Sequence, residues 1–97
     1  MWTLMVRSPD AEMQEVLLKE GKNILGRSPD ADIFIHDDSA SRYHAQIQYS
    51  PINNTLFLKD LDSTNGTRIG NKLIKTERLL DGDEIHIGQD TVIKVNL

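Results

Sequence analysis

The 97-residue chain contains no cysteine. That excludes a disulfide framework, a thiolate zinc site and a cysteine nucleophile, and it fits a reducing, cytoplasmic compartment. Aromatic residues are scarce, with one Trp, two Tyr and two Phe, so a core must be mostly aliphatic. Long apolar runs are missing too. No window approaches the ~18 apolar residues of a membrane helix, which argues against membrane insertion. The opening "MWTLMVRSPD" lacks the basic leader of a secretory signal. Positive charge is in deficit, with 11 Lys and Arg against 15 Asp and Glu and a formal net charge of −4. Nucleic-acid binding rests on a basic face or stripe, and the Lys and Arg residues here are scattered along the sequence, so no nucleic-acid partner is expected.

What the chain does have is short strand-like runs between turn signals. The length suits one domain and is too small for two. "WTLMV", "EVLLK", "NILG" and "DIFI" are brief apolar segments closed by Gly, Pro, Asp or Ser. "YHAQIQY" alternates, placing Tyr43, Ala45, Ile47 and Tyr49 on one face and His44, Gln46 and Gln48 on the other. "TLFLKDL" alternates too, with Leu56, Leu58 and Asp60 opposite Phe57, Lys59 and Leu61. "DEIHIG" and "TVIKVNL" complete the set. Such spacing predicts an all-β antiparallel sandwich or barrel. The best helical candidate is "AEMQEVLLKE". Only about ten residues separate Pro9 from Gly21, and a short isolated helix is marginal, so this segment reads as a strand. "RSPDA" occurs twice, at Arg7–Ala11 and Arg27–Ala31. A solenoid needs at least three copies, so the pair reads as recurring Ser-Pro-Asp turns.

"LDSTNGT", from Leu61 to Thr67, admits four readings. As a calcium loop it fails: its glycine comes one position late, the twelfth position is Asn71 rather than Glu, and the flanks are strand-like. As a glycosylation site, "NGT" lacks a secretion signal to support it, as does "NNT" at Asn53–Thr55. As a hairpin turn, Asn65-Gly66 is a strong signal because both residues tolerate positive φ. The fourth reading is a binding surface. "GRSPD", "SASRYH" and "DSTNGT" each offer guanidinium, hydroxyl or amide donors, and loops at one end of a sandwich can converge on one ligand. Two Arg with hydroxyls and side-chain amides suit a phosphate.

Catalytic readings are weak. Ser41 and His44 are an odd number apart, so an extended chain sends them to opposite faces, and no Gly-x-Ser-x-Gly elbow is present. His36 and His86 read as solvent-facing strand residues, and three scattered His make no zinc pattern. "DGDE" reads as an Asp-Gly turn rather than a metal site. Trp2 and the Met residues read as core or edge packing. No metal, cofactor or enzymatic activity is expected.

Taken together, Gly26-Arg27, Ser41-Arg42-Tyr43-His44 and Ser63-Thr64-Asn65-Gly66-Thr67 resemble the forkhead-associated (FHA) domain, a phosphothreonine-binding module. "DADIFIHDDSASRYHA" resembles the family's connection from Arg to Ser, and "IGNKLI" and "LLDGDEIHIG" resemble its closing strands. The likeness runs from about Leu17 to the end of the chain, and the motifs are specific in combination rather than singly. It implies a sandwich of about eleven strands in two sheets, with ligand loops at one end. It implies phosphate contacts from Arg27, Ser41 and Arg42, a phosphate or methyl contact from Thr64, and a peptide-backbone contact from Asn65. Gly26, His44, Gly66 and Thr67 would brace these loops. Residues 1–97 would form a single FHA domain, with excision from a longer chain the expectation, acting as a monomer on a phosphothreonine-containing protein in Ser/Thr kinase signalling. Recognition by the flanking residues would fall to Arg68–Asn71 and the segment near Ser39. The alternatives are a phospho-independent interaction domain using a sheet face, and a small hydrolase.

Overall fold

The computed structural model describes residues 1–9 and 11–97. Asp10, the third residue of the first Ser-Pro-Asp turn, lies outside the described residues. Eleven strands follow in order: β1 (Thr3–Arg7), β2 (Gln14–Leu17), β3 (Gly21–Gly26), β4 (Ile33–Phe34), β5 (Ala45–Ser50), β6 (Thr55–Asp60), β7 (Thr67–Ile69), β8 (Lys72–Ile74), β9 (Thr76–Leu79), β10 (Glu84–Ile87) and β11 (Thr91–Asn96). They form a six-stranded sheet, β2-β1-β11-β10-β7-β8, and a five-stranded sheet, β4-β3-β5-β6-β9. Every pairing is antiparallel except β3 with β4, which is parallel. No helix is present among the described residues, and the "AEMQEVLLKE" segment contributes β2, as its sequence suggests.

Period-two alternation builds the core. Leu4 and Val6 of β1, Ile47 of β5, Leu56 and Leu58 of β6, Ile85 and Ile87 of β10, and Ile93 and Val95 of β11 are all completely buried. Each such side chain is worth about 1.5–3 kcal/mol of apolar transfer, so the two facing layers carry the stability that five aromatics could not. Trp2 caps one edge of this layer, and its indole Nε1 donates to Asn54 Oδ1 at 2.8 Å.

Three sequence expectations are corrected here. The strand expected to begin at Tyr43 begins at Ala45, and Ser41–His44 is a turn. Tyr43 is therefore exposed while His44 is completely buried, the reverse of the alternation extrapolated from "YHAQIQY". "DIFI" gives only the two-residue β4, although Ile33 and Ile35 both reach the core. Met1 and Met13 are exposed rather than packed.

Candidate functional site

Three connections meet at one end of the sandwich: residues 27–32 after β3, 35–44 before β5, and 61–66 between β6 and β7. In the first, Ser28-Pro29-Asp30 forms the expected turn. Ala31 N donates to Ser28 O at 3.0 Å and Asp30 N to Ser28 Oγ at 3.1 Å. Proline fixes φ and removes a donor the turn has no use for.

The second connection is laced to the first by its backbone. Arg27 N donates to Ser41 O at 3.0 Å, Ser28 N to Arg42 O at 3.1 Å, and His44 N to Leu25 O at 2.8 Å. Contact at Gly26 is so close that a Cβ there would lie 1.9 Å from Arg42 O.

His44 joins the second connection to the third. Its Nδ1 accepts the Ser41 backbone N–H at 3.0 Å. A main-chain N–H can only donate, so the proton of the neutral ring sits on Nε2, which donates to Gly66 O at 2.8 Å. Ser41 and His44 are thus neighbours across a turn, not residues on opposite faces of a strand. They do not form a nucleophile–base pair, because both ring nitrogens are occupied and the Ser41 hydroxyl oxygen instead accepts Thr64 N at 3.0 Å.

The 61–66 connection is not a hairpin turn. It carries the chain from β6 in one sheet to β7 in the other. Positive φ falls at Asp62 (54°) and Gly66 (81°), whereas a type I′ hairpin would require it at Asn65 as well. Asp60 organises the loop from inside, accepting from Ser63 Oγ at 2.5 Å, Ser63 N at 3.2 Å and Thr67 Oγ1 at 2.7 Å.

A fourth element, the β10–β11 turn, joins the cluster unforeseen. Asp37 is buried and accepts from Ser39 N (2.9 Å), Ser39 Oγ (2.5 Å), Thr91 Oγ1 (2.7 Å) and Asp90 N (3.3 Å). Ser39 Oγ accepts Gln89 N at 2.7 Å, and Asn65 Nδ2 donates to Ser39 O at 2.7 Å. The usable signals were Asp37-x-Ser39 and Asp60-x-x-Ser63, spacings at which a carboxylate caps a following N–H.

Burial pushes the carboxyls of Asp37 and Asp60 up, but the hydrogen bonds from Ser39 and Thr91, and from Ser63 and Thr67, outweigh it. Both end below the ordinary value of 3.8. A group whose folded pKa is depressed contributes stability that is present above its unfolded pKa and lost as pH falls through the folded one. Thermal melts should therefore vary little through these groups between pH 7 and 5 and drop as pH falls below about 4. Asp60→Asn should be less stable at pH 7 and show a shallower acid drop. A wild-type melting temperature unchanged down to pH 3 would refute this role.

The braced loops present a row of donors. Arg27 Nε is held by Ala40 O at 3.0 Å, which leaves its terminal nitrogens unassigned. Arg27 and Arg42 line one concavity with Ser28, Pro29, Asp30 and Tyr43. Among the described residues, neither guanidinium lies within 4.0 Å of a carboxylate. Next to it, a cleft of about 500 Å3 is lined by Ser63, Thr64, Asn65, Arg68, Leu73 and Lys75 among others. Ser41 lies between the two through its link to Thr64. The expected residues are thereby brought together. Arg27, Ser41, Arg42, Thr64 and Asn65 lie on the loop surface, and Gly26, His44, Gly66 and Thr67 lie beneath or beside it.

A two-sheet sandwich with guanidinium, hydroxyl and amide donors on linked end loops defines a class of anion-recognising binding modules. The FHA domain profile matches residues 23–88, and the chain belongs to this family. It is 40% identical over 76 residues to FhaA, an FHA domain-containing protein of Mycobacterium tuberculosis H37Rv, spanning 78% of this chain and 14% of FhaA. An FhaA FHA domain solved in complex with the intracellular domain of Rv3910 superposes with a TM-score of 0.89 and 35% identity, covering 99% of this chain and all of that one. The glycogen accumulation regulator GarA of the same organism is 36% identical over 83 residues, which are 86% of this chain and 49% of GarA. An FHA domain solved in work on phosphothreonine-dependent FHA domain interactions superposes with a TM-score of 0.86 and 34% identity over 98% of this chain and 96% of that one. This chain thus spans half or less of the length of these curated relatives.

Proposed function

We propose that this domain binds phosphothreonine-containing segments of proteins, without catalysis, in intracellular Ser/Thr kinase signalling. The observation that carries the reading is the pair of guanidiniums, Arg27 and Arg42, which have no carboxylate within 4.0 Å among the described residues, beside a Ser41 hydroxyl whose oxygen already accepts Thr64 N. With that lone pair engaged, the Ser41 proton is available to a phosphate oxygen. Phosphothreonine brings about −1.5 to −2 charges and three acceptor oxygens, which Arg27, Arg42 and Ser41 would share. Thr64 would contact the phosphate or the threonine methyl. One N–H of the Asn65 amide is committed to Ser39 O, which leaves Oδ1 and the second N–H to meet the peptide backbone. Charge-assisted hydrogen bonds of roughly 1.5–3 kcal/mol each, less the cost of ordering a peptide, give an affinity near micromolar. The peptide would continue into the cleft bearing Arg68 and Lys75.

Calorimetric titration with degenerate phosphothreonine, phosphoserine and unphosphorylated peptide pools tests this. The expected result is micromolar binding to the phosphothreonine pool, ~10- to 200-fold weaker binding to phosphoserine because one buried methyl is worth about 1–3 kcal/mol, and none to the unphosphorylated pool. Equal affinity for all three pools would overturn the reading in favour of a phospho-independent domain of the same fold.

A further inference from the structure

The pairing register gathers cations that are scattered in the sequence. On the outer face of the five-stranded sheet, Lys22 stands opposite Gln48, Gln48 opposite Phe57, and Phe57 opposite Arg78, one row across four strands. The adjacent row reads Ile24, Gln46, Lys59 and Thr76. Lys22, Phe57, Lys59, Thr76 and Arg78 are exposed. These two rows hold three cations and no carboxylate, in a chain whose formal net charge is −4. Glu77 pairs in register with the inward Leu58, and Asp60 with the inward Ala45. Asp32, at the β3 edge, is held by Lys19 at 2.7 Å. Among the described residues, none of Lys22, Lys59 and Arg78 lies within 4.0 Å of a carboxylate.

We propose that this sheet face is a second interaction surface, which takes an acidic, unphosphorylated polypeptide segment. Charge complementarity names the occupant. Lys22 and Arg78 end a row whose centre is Gln48 and Phe57, so carboxylates at both ends of an extended segment can pair while its apolar residues cover the ring. Four strands at ~4.8 Å spacing make a row about 14 Å long, the span of four or five extended residues. That suits a short, transient contact rather than a large permanent interface. A polynucleotide fits less well, because three cations in two short rows are too few to follow a phosphate backbone with one charge per nucleotide against a net charge of −4, whereas a short segment with a carboxylate at each end needs only Lys22 and Arg78. The surface is separate from the Arg27–Arg42 loops, so its existence does not depend on phosphate recognition.

The test is amide-shift mapping of the isotopically labelled domain with a Glu- and Leu-containing unphosphorylated peptide of about eight residues. Shifts should centre on Lys22, Gln48, Phe57 and Arg78, and affinity should fall between about 50 and 200 mM salt. The variant K22E/K59E/R78E should bind the peptide at least ~10-fold more weakly while holding a phosphothreonine peptide within about twofold of wild type. If the triple variant folds poorly, Arg78→Gln alone should weaken binding about threefold. Three outcomes would overturn the proposal: no shifts on the face, shifts confined to the Arg27 and Arg42 loops, or tighter binding of a single-stranded oligonucleotide than of the peptide.

Discussion

Arg27→Ala should reduce affinity for a phosphothreonine peptide by roughly 100-fold, a loss of about 3 kcal/mol. The side chain is exposed and tethered through one nitrogen, Nε to Ala40 O at 3.0 Å. That tether restricts where the terminal nitrogens can be, so part of the ordering cost of a long side chain is met before ligand arrives. A dianionic phosphate left without this guanidinium loses one or two charge-assisted hydrogen bonds, and Arg42 alone cannot replace their geometry. Arg27→Lys keeps the charge but loses the planar fork and the Nε tether, so it should recover only part of the loss, to about 10-fold below wild type. Calorimetry with a single phosphothreonine peptide reads both numbers. Thermal melts of the variants should stay within a few degrees of wild type, since the Arg27 side chain is exposed. Wild-type affinity in Arg27→Ala would remove this residue from the site and leave the concavity beside Arg42 without its principal donor.

The residues proposed to touch a ligand were easier to find in the sequence than those that hold them in place. Arg27, Ser41, Thr64 and Asn65 sit in loops whose turn formers are local, and Pro29, Gly66 and the small residues around Ser41 announce chain reversals without any knowledge of the fold. His44 was legible as a brace, but not as a completely buried one. Alternation carried it to the outside of a strand, because nothing local says that the strand starts only at Ala45. That limit is set by His44 N donating to Leu25 O and by the two ring contacts, all of them reaching outside the turn's own residues or closing it from within. Asn65-Gly66 likewise looked like a hairpin, since the dipeptide fits one. The competing fact is that β6 and β7 belong to different sheets, and β6 pairs with β9 instead. The tie from Asp37 to the β10–β11 turn was invisible for the same reason, as its partners at Asp90 and Thr91 lie more than fifty residues away. Lys22, Lys59 and Arg78 looked scattered until register placed them in neighbouring rows. In each case local chemistry was read correctly as far as the next turn, and long-range pairing decided the rest.

Gly26 is where stability and recognition meet, and Gly26→Ala should destabilise the domain by about 4 kcal/mol or more. The added Cβ would lie 1.9 Å from Arg42 O and 2.6 Å from Arg42 C, both main-chain atoms. A flexible side chain could swing aside. This backbone cannot, because Arg27 N to Ser41 O, Ser28 N to Arg42 O and His44 N to Leu25 O hold it on both sides of the contact. Relief would require breaking at least one of these bonds or pulling β3 from the loop, which also carries Ser41 and Arg42. At about 0.05–0.15 kcal/mol per residue, a chain of this size has roughly 5–15 kcal/mol to lose, so the melting temperature should fall by some 15–30 °C. Gly70→Ala is the contrast: Gly70 has a left-handed φ of 59° where Gly26 has none, but a Cβ at Gly70 meets nothing within 4 Å. It should cost only about 1–2 kcal/mol. Below its lowered melting point, Gly26→Ala should still bind phosphothreonine peptide poorly, since the displaced segment holds two of the three proposed phosphate donors, Ser41 and Arg42, and adjoins the third, Arg27. Urea denaturation of the two variants, followed by peptide titration of the folded fraction, separates these effects. Equal losses of stability at Gly26 and Gly70 would mean that the close approach of β3 to the Arg42 carbonyl costs no more than ordinary left-handed strain and is not what makes glycine necessary before Arg27.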